Sequence, residues 1–170
     1  MPVSPRHFRL VRNITTSATH QFNDNGDNAL FHPDSIPAVA DILHDEFRGI
    51  HYLVRQIEPA LSSRGRICHY TATLQKCNVT CTLQRFAEGG KDAFGRELDP
   101  HPATIAFGIH GVFETTGPDS AKLVTPVTEA RLNDRLVITG PNSDSETYRV
   151  LAIDSTSPGF TVYKLAQDFR

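Results

Sequence analysis

The second part of the chain is dominated by short runs in which apolar and polar residues alternate. From Cys77 to Leu83 the odd positions are apolar and the even positions are polar. Because the side chains of a strand point alternately to its two faces, this pattern predicts a sheet with one face on a core and the other against water or a partner. Clusters of Gly, Pro, Asn and Asp separate the runs and predict turns. We predict strands at residues 66–73, 77–86, 104–115, 122–131, 135–139 and 148–153, and a seventh at 160–165.

Residues 34 to 57 show a different spacing. Asp34 or Ser35 can cap a helix, and Pro37 fits its first turn. Apolar residues then recur at three- and four-residue intervals, which predicts a helix with one apolar face. The residues of this predicted face are Ile36, Val39, Ala40, Leu43, Phe47, Ile50, Leu53, Val54 and Ile57.

The order of these segments predicts an α+β fold. Residues 1–32 are expected to be irregular or partly strand, residues 34–57 helix, and residues 66–165 rich in strands. One helix ahead of a meandering antiparallel sheet predicts a curved, cone-shaped sheet wrapped over helices. A length of 170 residues favours a single domain over residues 1–170.

Charge and cysteine content limit the class of function. The formal net charge of −2 at pH 7 argues against a protein whose main task is to bind a phosphate backbone. The three cysteines cannot all pair with one another, which favours a reducing, intracellular compartment. No run approaches the roughly 20 apolar residues of a membrane-spanning helix, so membrane insertion is not expected.

The sequence contains no motif for a nucleotide, a metal or an activated nucleophile, so we predict no catalytic residue, no metal and no cofactor. His44 and His51 would share one face of the predicted helix, but His44 lies in a polar run off its apolar stripe, which favours a structural over a catalytic role. Cys77 and Cys81 would lie ~13 Å apart on one face of a strand, too far apart to hold one zinc ion. Both cysteines are therefore expected to pack in a core.

Two sets of short segments resemble a known family. The first set comprises residues 77–81, 85–86, 89–92, 95 and 107–109, and the second comprises residues 110–117, 134–135 and 137–138. The first set is similar to the fungal mRNA transport regulators, which form the small subunit of the nuclear mRNA export heterodimer. The second set is similar to the same domain in the TAP-type receptor, the large subunit. The resemblance implies the nuclear-transport-factor-two-like fold, in which helices pack in the concave side of a bent sheet.

This resemblance implies a non-catalytic adaptor that shuttles between the nucleus, the nuclear pore and the cytoplasm. Its implied partners are a TAP-type mRNA export receptor, Phe-Gly nucleoporins and RNA. A permanent interface has an apolar centre, so apolar side chains are expected on the outer sheet face. The predicted partner-binding residues are Phe107, Ile109, Phe113, Val137, Tyr148, Val150 and Ala152, and the predicted RNA contacts are Lys122, Arg131 and Arg135.

Two alternatives stay open at this point. The predicted partner-binding residues would instead face the core if the strands were shifted by one residue, because such a shift exchanges the two faces. The second alternative is a small cone-fold enzyme, of the isomerase or dehydratase type, that acts on an apolar metabolite. It requires His69 or His110 inside a pocket of a few hundred Å³.

Overall fold

The computed structural model of this chain contains strands and no helix in the residues that it describes. The α+β prediction is therefore wrong, and the described part of the chain is all-β. Among those residues no helix is long and apolar enough to cross a membrane. The described residues are 6–10, 15–23, 26–34, 36–46, 48–87, 91, 93–97, 99–126, 128–155 and 159–169, with side chains described from Asn28 onward except at Ala87.

Several residues that the sequence interpretation used lie outside this described set. Ser35 and Phe47 belong to the predicted helix, and Gly89, Gly90 and Asp92 belong to the family resemblance.

The chain divides into two compact units, each with its own closed six-stranded antiparallel barrel. The division does not follow sequence order, because the first unit takes in two short segments from the second half of the chain. The first unit comprises Met1–Cys77, Thr125–Val127 and Thr156–Phe160, and the second comprises Asn78–Val124, Thr128–Ser155 and Thr161–Arg170.

The barrel of the first unit has the strand order β1-β2-β3-β6-β5-β4, and the pairing of β1 with β4 closes it. Its core contains the buried side chains of Phe31, Leu43, Tyr52 and Val54. Its strands are β1 (Arg6–Leu10), β2 (Thr15–Asn23), β3 (Gly26–Phe31), β4 (Ile42–Asp45), β5 (Ile50–Leu61) and β6 (Ile67–Lys76).

The predicted helix at residues 34–57 is replaced by the β4–β5 hairpin. The turn of this hairpin ends at Gly49, which has a φ of 66°. His44 and His51 face each other across the hairpin, and their stacked ring centroids are 4.3 Å apart. Their seven-residue separation therefore reflects a folded-back pair of strands, not two turns of a helix. Apolar spacing alone cannot distinguish these two arrangements, and the β-branched and aromatic residues near Tyr52 favour strands.

The barrel of the second unit has the strand order β10-β11-β12-β9-β8-β7, and the pairing of β10 with β7 closes it. Cys81, Leu83, Leu123, Val150 and Leu165 are buried in its core. Its strands are β7 (Val79–Ala87), β8 (His101–Gly117), β9 (Ser120–Pro126), β10 (Arg135–Thr139), β11 (Ser145–Asp154) and β12 (Phe160–Gln167).

The seven strands predicted after residue 66 correspond to β6–β12. The prediction for β10 has the observed bounds, because turn residues border this strand on both sides. The prediction for β9 ran five residues too far, since β9 ends at Pro126.

Candidate functional site

The β7–β8 hairpin extends beyond the rest of the second barrel. The pairing of β10 with β7 reaches only to Gln84, and the described pairing of β8 with β9 begins at Val112. Residues 85–87 therefore pair with residues 101–103 in a two-stranded extension that no described third strand supports. We call this extension, together with β8 as far as Gly108, the ribbon.

Two irregularities in β8 decide which side chains the ribbon exposes. Ile105 is an extra residue between the pairs Leu83–Ala106 and Gln84–Thr104. Farther along, Phe107 and Gly108 together face a single residue of β7, in a bulge where Gly108 has a φ of 68°. A bulge of this kind requires a left-handed backbone that glycine adopts at little cost, and it re-aims the neighbouring side chain.

The ribbon carries three exposed large apolar residues. The side chain of Phe107 is 82% exposed, and those of Phe86 and Ile105 are 45% and 38% exposed. Beyond the bulge, Ile109 packs against the core of the second barrel. In a regular strand, alternation would place Ile105, Phe107 and Ile109 on one face, but the bulge at Gly108 separates Ile109 from Phe107. A glycine inside an otherwise strand-like run was the available signal for this bulge.

An ion pair fixes the base of the ribbon to the loop that precedes β10. Arg85 donates to both carboxylate oxygens of Asp134, from Nε to Oδ1 at 2.9 Å and from Nη2 to Oδ2 at 2.8 Å. The hydrogen bond to Asp134 raises the pKa of Arg85. Asp134 is buried and also accepts the backbone N–H of Arg131 at 2.8 Å. A two-stranded extension is marginal by itself, so this two-point contact stabilises the ribbon.

A separate open cleft of about 340 Å³ lies near the start of β7. The ribbon residues 85–87 are at the other end of this strand. Its apolar part is formed by Val79, Phe113 and Ile138. Asn78 joins β7 to β8 here, because its amide donates to the Phe113 carbonyl at 2.8 Å and its Oδ1 accepts the Phe113 N–H at 2.7 Å. We call this site the cleft; its lining residues are Asn78, Val79, Phe113, Ile138, Gly140, Pro141, Asp144 and Glu146.

The cleft carries negative charge and no positive charge among its lining residues. Asp144 and Glu146 supply two carboxylates. The buried Tyr148 donates its hydroxyl to Glu146 at 2.6 Å, and its ring makes an edge contact with Phe113 at 5.3 Å between centroids. Burial, followed by the hydrogen bond and the charge of Glu146, raises the pKa of Tyr148 to about 12. The hydroxyl therefore stays a donor at neutral pH and holds Glu146 in place.

The predicted partner-binding residues occupy four different environments in the second unit. Phe107 is exposed on the ribbon, and Phe113 lines the cleft. Tyr148 and Val150 are buried in the core, where their side chains are not available to a partner. The remaining three, which are half-buried, are Ile109, Val137 and Ala152.

The structure does not gather the three predicted RNA-contact residues into one patch. Lys122 is exposed on β9, which is not a neighbour of β10 in the sheet. Arg131 is exposed in the loop before β10, whereas Arg135 is half-buried and lies 3.9 Å from the carboxylate of Asp168. The cross-strand neighbour of Arg135 is Arg149, which the sequence interpretation did not select.

The histidines and cysteines considered in the sequence are dispersed. His69 belongs to the first unit and His110 to the second, and neither lines the cleft. Cys81 is buried in the core of the second barrel, and burial raises the pKa of Cys77 to about 12. No group of three or more His, Cys, Asp or Glu residues within the described ranges could hold a metal ion.

Neither a family model, nor a curated protein, nor a solved structure matches this chain. Its function is therefore inferred from its own residues.

Proposed function

We propose that this chain is a non-catalytic protein-binding module and that a partner docks on the ribbon. The observation that carries the proposal is the exposed side chain of Phe107, with Ile105 and Phe86 on the same extension. Isolated exposed apolar residues are ordinary, but a group of large ones on a projecting element is typical of an interaction site. Aromatic side chains are also enriched among the residues that contribute most to binding.

The shape of the ribbon indicates what kind of partner fits it. Along residues 101–111 the described ladders pair β8 on one side only, with β7. An unpaired edge supplies backbone donors and acceptors to an incoming extended segment. Pro102 lacks a backbone N–H, and the irregularities at Ile105 and Gly108 interrupt the edge, so only a short segment can pair there. A partner segment with apolar side chains would cover Ile105 and Phe107 at the same time.

The mRNA export adaptor is one form that such a module could take, and it stays a prediction. Its partners would be a TAP-type receptor and Phe-Gly nucleoporins, and its location the nucleus and nuclear pore. That prediction was implied by a fold with helices under a bent sheet, which the described chain does not have. The proposal therefore keeps partner binding and leaves the partner's identity to experiment. No observation in the described residues favours the cone-fold enzyme over this module.

The ribbon is tested with the substitution Phe107→Ser. Immobilised wild-type protein is expected to capture a partner from nuclear or cytosolic extract, identified by mass spectrometry. The affinity of the purified partner is then measured for both proteins. Burying one large apolar side chain contributes about 1.5–3 kcal/mol, so the loss should weaken binding by roughly 10- to 100-fold.

The matched control is Leu132→Ser. Leu132 is also exposed in the second unit, at 59%, but it lies in the loop before β10 and not on the ribbon. Both variants should keep the circular dichroism spectrum and melting temperature of the wild type. The proposal would be contradicted if Phe107→Ser bound the captured partner as tightly as the wild type does. It would also be contradicted if Leu132→Ser lost as much affinity as Phe107→Ser.

A further inference from the structure

The β5–β6 hairpin of the first unit ends in an exposed, apolar and positively charged tip. Leu61 and Ile67 are cross-strand partners, and their side chains are 62% and 45% exposed. Arg64 and Arg66 lie in the exposed turn between them. Residues 59–70 contain these two arginines and no Asp or Glu. We call residues 61–67 the tip.

The tip is held in one conformation by its own hydrogen bonds. Ser62 donates its backbone N–H to the Arg66 carbonyl at 2.7 Å and accepts the Gly65 N–H at 2.9 Å. The Ser62 hydroxyl oxygen accepts the Arg66 N–H at 3.2 Å, and Gly65 has a φ of 73° that suits the turn. A segment that is already ordered loses little conformational entropy when it binds, so it binds more tightly than a flexible one with the same side chains.

The cleft of the second unit has the complementary chemistry. Its apolar lining consists of half-buried Phe113 and of the small part of Val79 and Ile138 that the core leaves exposed. Its charged lining residues are Asp144 and Glu146. Its volume of about 340 Å³ lies within the range of small binding sites and admits one or two aliphatic side chains. The tip presents two aliphatic side chains and two guanidinium groups. Arginine binds carboxylates with directed, paired hydrogen bonds.

We propose that the tip of one copy of this chain docks into the cleft of a second copy. Leu61 and Ile67 then cover the apolar part of the cleft, and Arg64 and Arg66 bind Asp144 and Glu146. Because the two surfaces differ, each copy keeps a vacant cleft or a vacant tip after the first contact. The remaining tip and cleft either pair with each other, which closes a symmetric dimer, or bind further copies, which gives a ring or an open chain.

The first test measures self-association of the full-length protein by sedimentation velocity over a range of concentrations. The wild type is expected to form species larger than a monomer, and these should dissociate as salt is raised, because charge pairs at a surface are screened. Asp144→Lys should weaken self-association by about tenfold or more, since it sets a lysine against the arginines of the tip. The double substitution Leu61→Ser/Ile67→Ser should have a similar effect through loss of apolar contact.

Two matched controls isolate the effects of charge. Lys76→Glu reverses a charge at the opposite end of β6 from the tip, and Asp99→Lys reverses an exposed carboxylate outside the cleft. Both controls should associate as the wild type does. The melting temperature of every variant is measured, so that a loss of folding is not counted as a loss of contact.

A mixing experiment tests whether the tip of one copy contacts the cleft of another. The cleft variant Asp144→Lys keeps its tip, and the tip variant Leu61→Ser/Ile67→Ser keeps its cleft. An equimolar mixture of these two proteins should form one-to-one pairs, although each alone is monomeric.

A monomeric wild type at every concentration, or a mixture that stays monomeric, would overturn the proposal. Binding of the wild type to anionic lipid vesicles in place of self-association would show that the tip recognises a membrane surface, and would overturn it as well.

Failure of the self-association tests would leave the ribbon proposal intact. The ribbon test depends on Phe107, which belongs neither to the tip nor to the cleft.

Discussion

At the scale of single residues, several polar side chains of the second unit join neighbouring strands and loops at its surface. Asp134 connects the ribbon to the loop before β10 through Arg85, and Asn78 connects β7 to β8 beside the cleft. Tyr148 lies in the core but directs its hydroxyl to Glu146 at the cleft. None of these roles was predictable from the sequence. The partners of Asp134 and Asn78 are distant along the chain, and the role of Tyr148 depends on which side of β11 faces the core.

Tyr148 and Cys77 make the stability of the protein sensitive to alkaline pH. The fold raises the pKa of Tyr148 from 10.0 to about 12 and that of Cys77 from 9.0 to about 12. Both groups are neutral when protonated, so their stabilising contribution is complete below the lower value and is lost as the pH rises toward 12. The free energy of unfolding, measured with urea, should therefore fall between pH 9 and pH 12.

The contribution of Tyr148 can be isolated with two variants. Tyr148→Phe should decline less steeply than the wild type above pH 10, because it has no hydroxyl to ionise. Glu146→Gln keeps the tyrosine buried but removes the neighbouring charge, so its decline should be intermediate. Identical pH profiles for the wild type and Tyr148→Phe would show that Tyr148 does not carry this effect.

At the scale of elements, the bulge in β8 determines which residues the ribbon presents. Regular alternation from Ile105 to Ile109 would give one shared face, but the left-handed residue Gly108 interrupts it before Ile109. The strands after residue 66 were predictable because turn residues border them. The β4–β5 hairpin was not, because its apolar residues recur at intervals that also suit a helix.

The backbone of Gly108 gives a direct test of the bulge. Gly108→Ala should cost about 1–2 kcal/mol, because alanine is strained at a φ of 68°. The added methyl group meets no atom within 4 Å, so backbone strain is the only cost. For a chain of this size the melting temperature should fall by roughly 2–8 °C.

Gly140→Ala is the matched control for this substitution. Gly140 does not have a positive φ, and the nearest atom to an added methyl group is 4.0 Å away. Its melting temperature should stay close to that of the wild type, and Gly108→Asn should lie between the two because asparagine tolerates this conformation. Equal melting temperatures for Gly108→Ala and Gly140→Ala would argue against a left-handed residue in β8.

At the scale of the whole molecule, sequence order and structural units do not coincide. The sequence predicted one domain, and nothing in its composition indicates that Phe160 belongs with the first unit. Yet Phe160 is buried there, and the guanidinium of Arg55 lies 4.8 Å from the centroid of its ring. Five residues later, Leu165 is buried in the core of the second barrel. A contact between parts of the chain that are a hundred residues apart leaves no local signal in the sequence.

Strand β12 therefore offers a test of how the chain is divided. Phe160→Leu should accelerate amide hydrogen exchange mainly in β5, and Leu165→Val mainly in β10 and β11. Each substitution removes part of one buried side chain and should cost about 1 kcal/mol in its own unit. Exchange that increases equally in both units for both variants would indicate a single cooperative body.

The division of the chain also sets an order of events during synthesis. The strands of the first barrel are translated first, but the first unit lacks Phe160 until almost the entire chain has been made. At about 5–20 residues per second, the ribosome needs roughly 4–17 s to add residues 78 to 160. Throughout that interval the six strands of the first barrel can already pair, because β1 and β4 close it, but Arg55 still lacks the aromatic ring against which it packs in the finished protein.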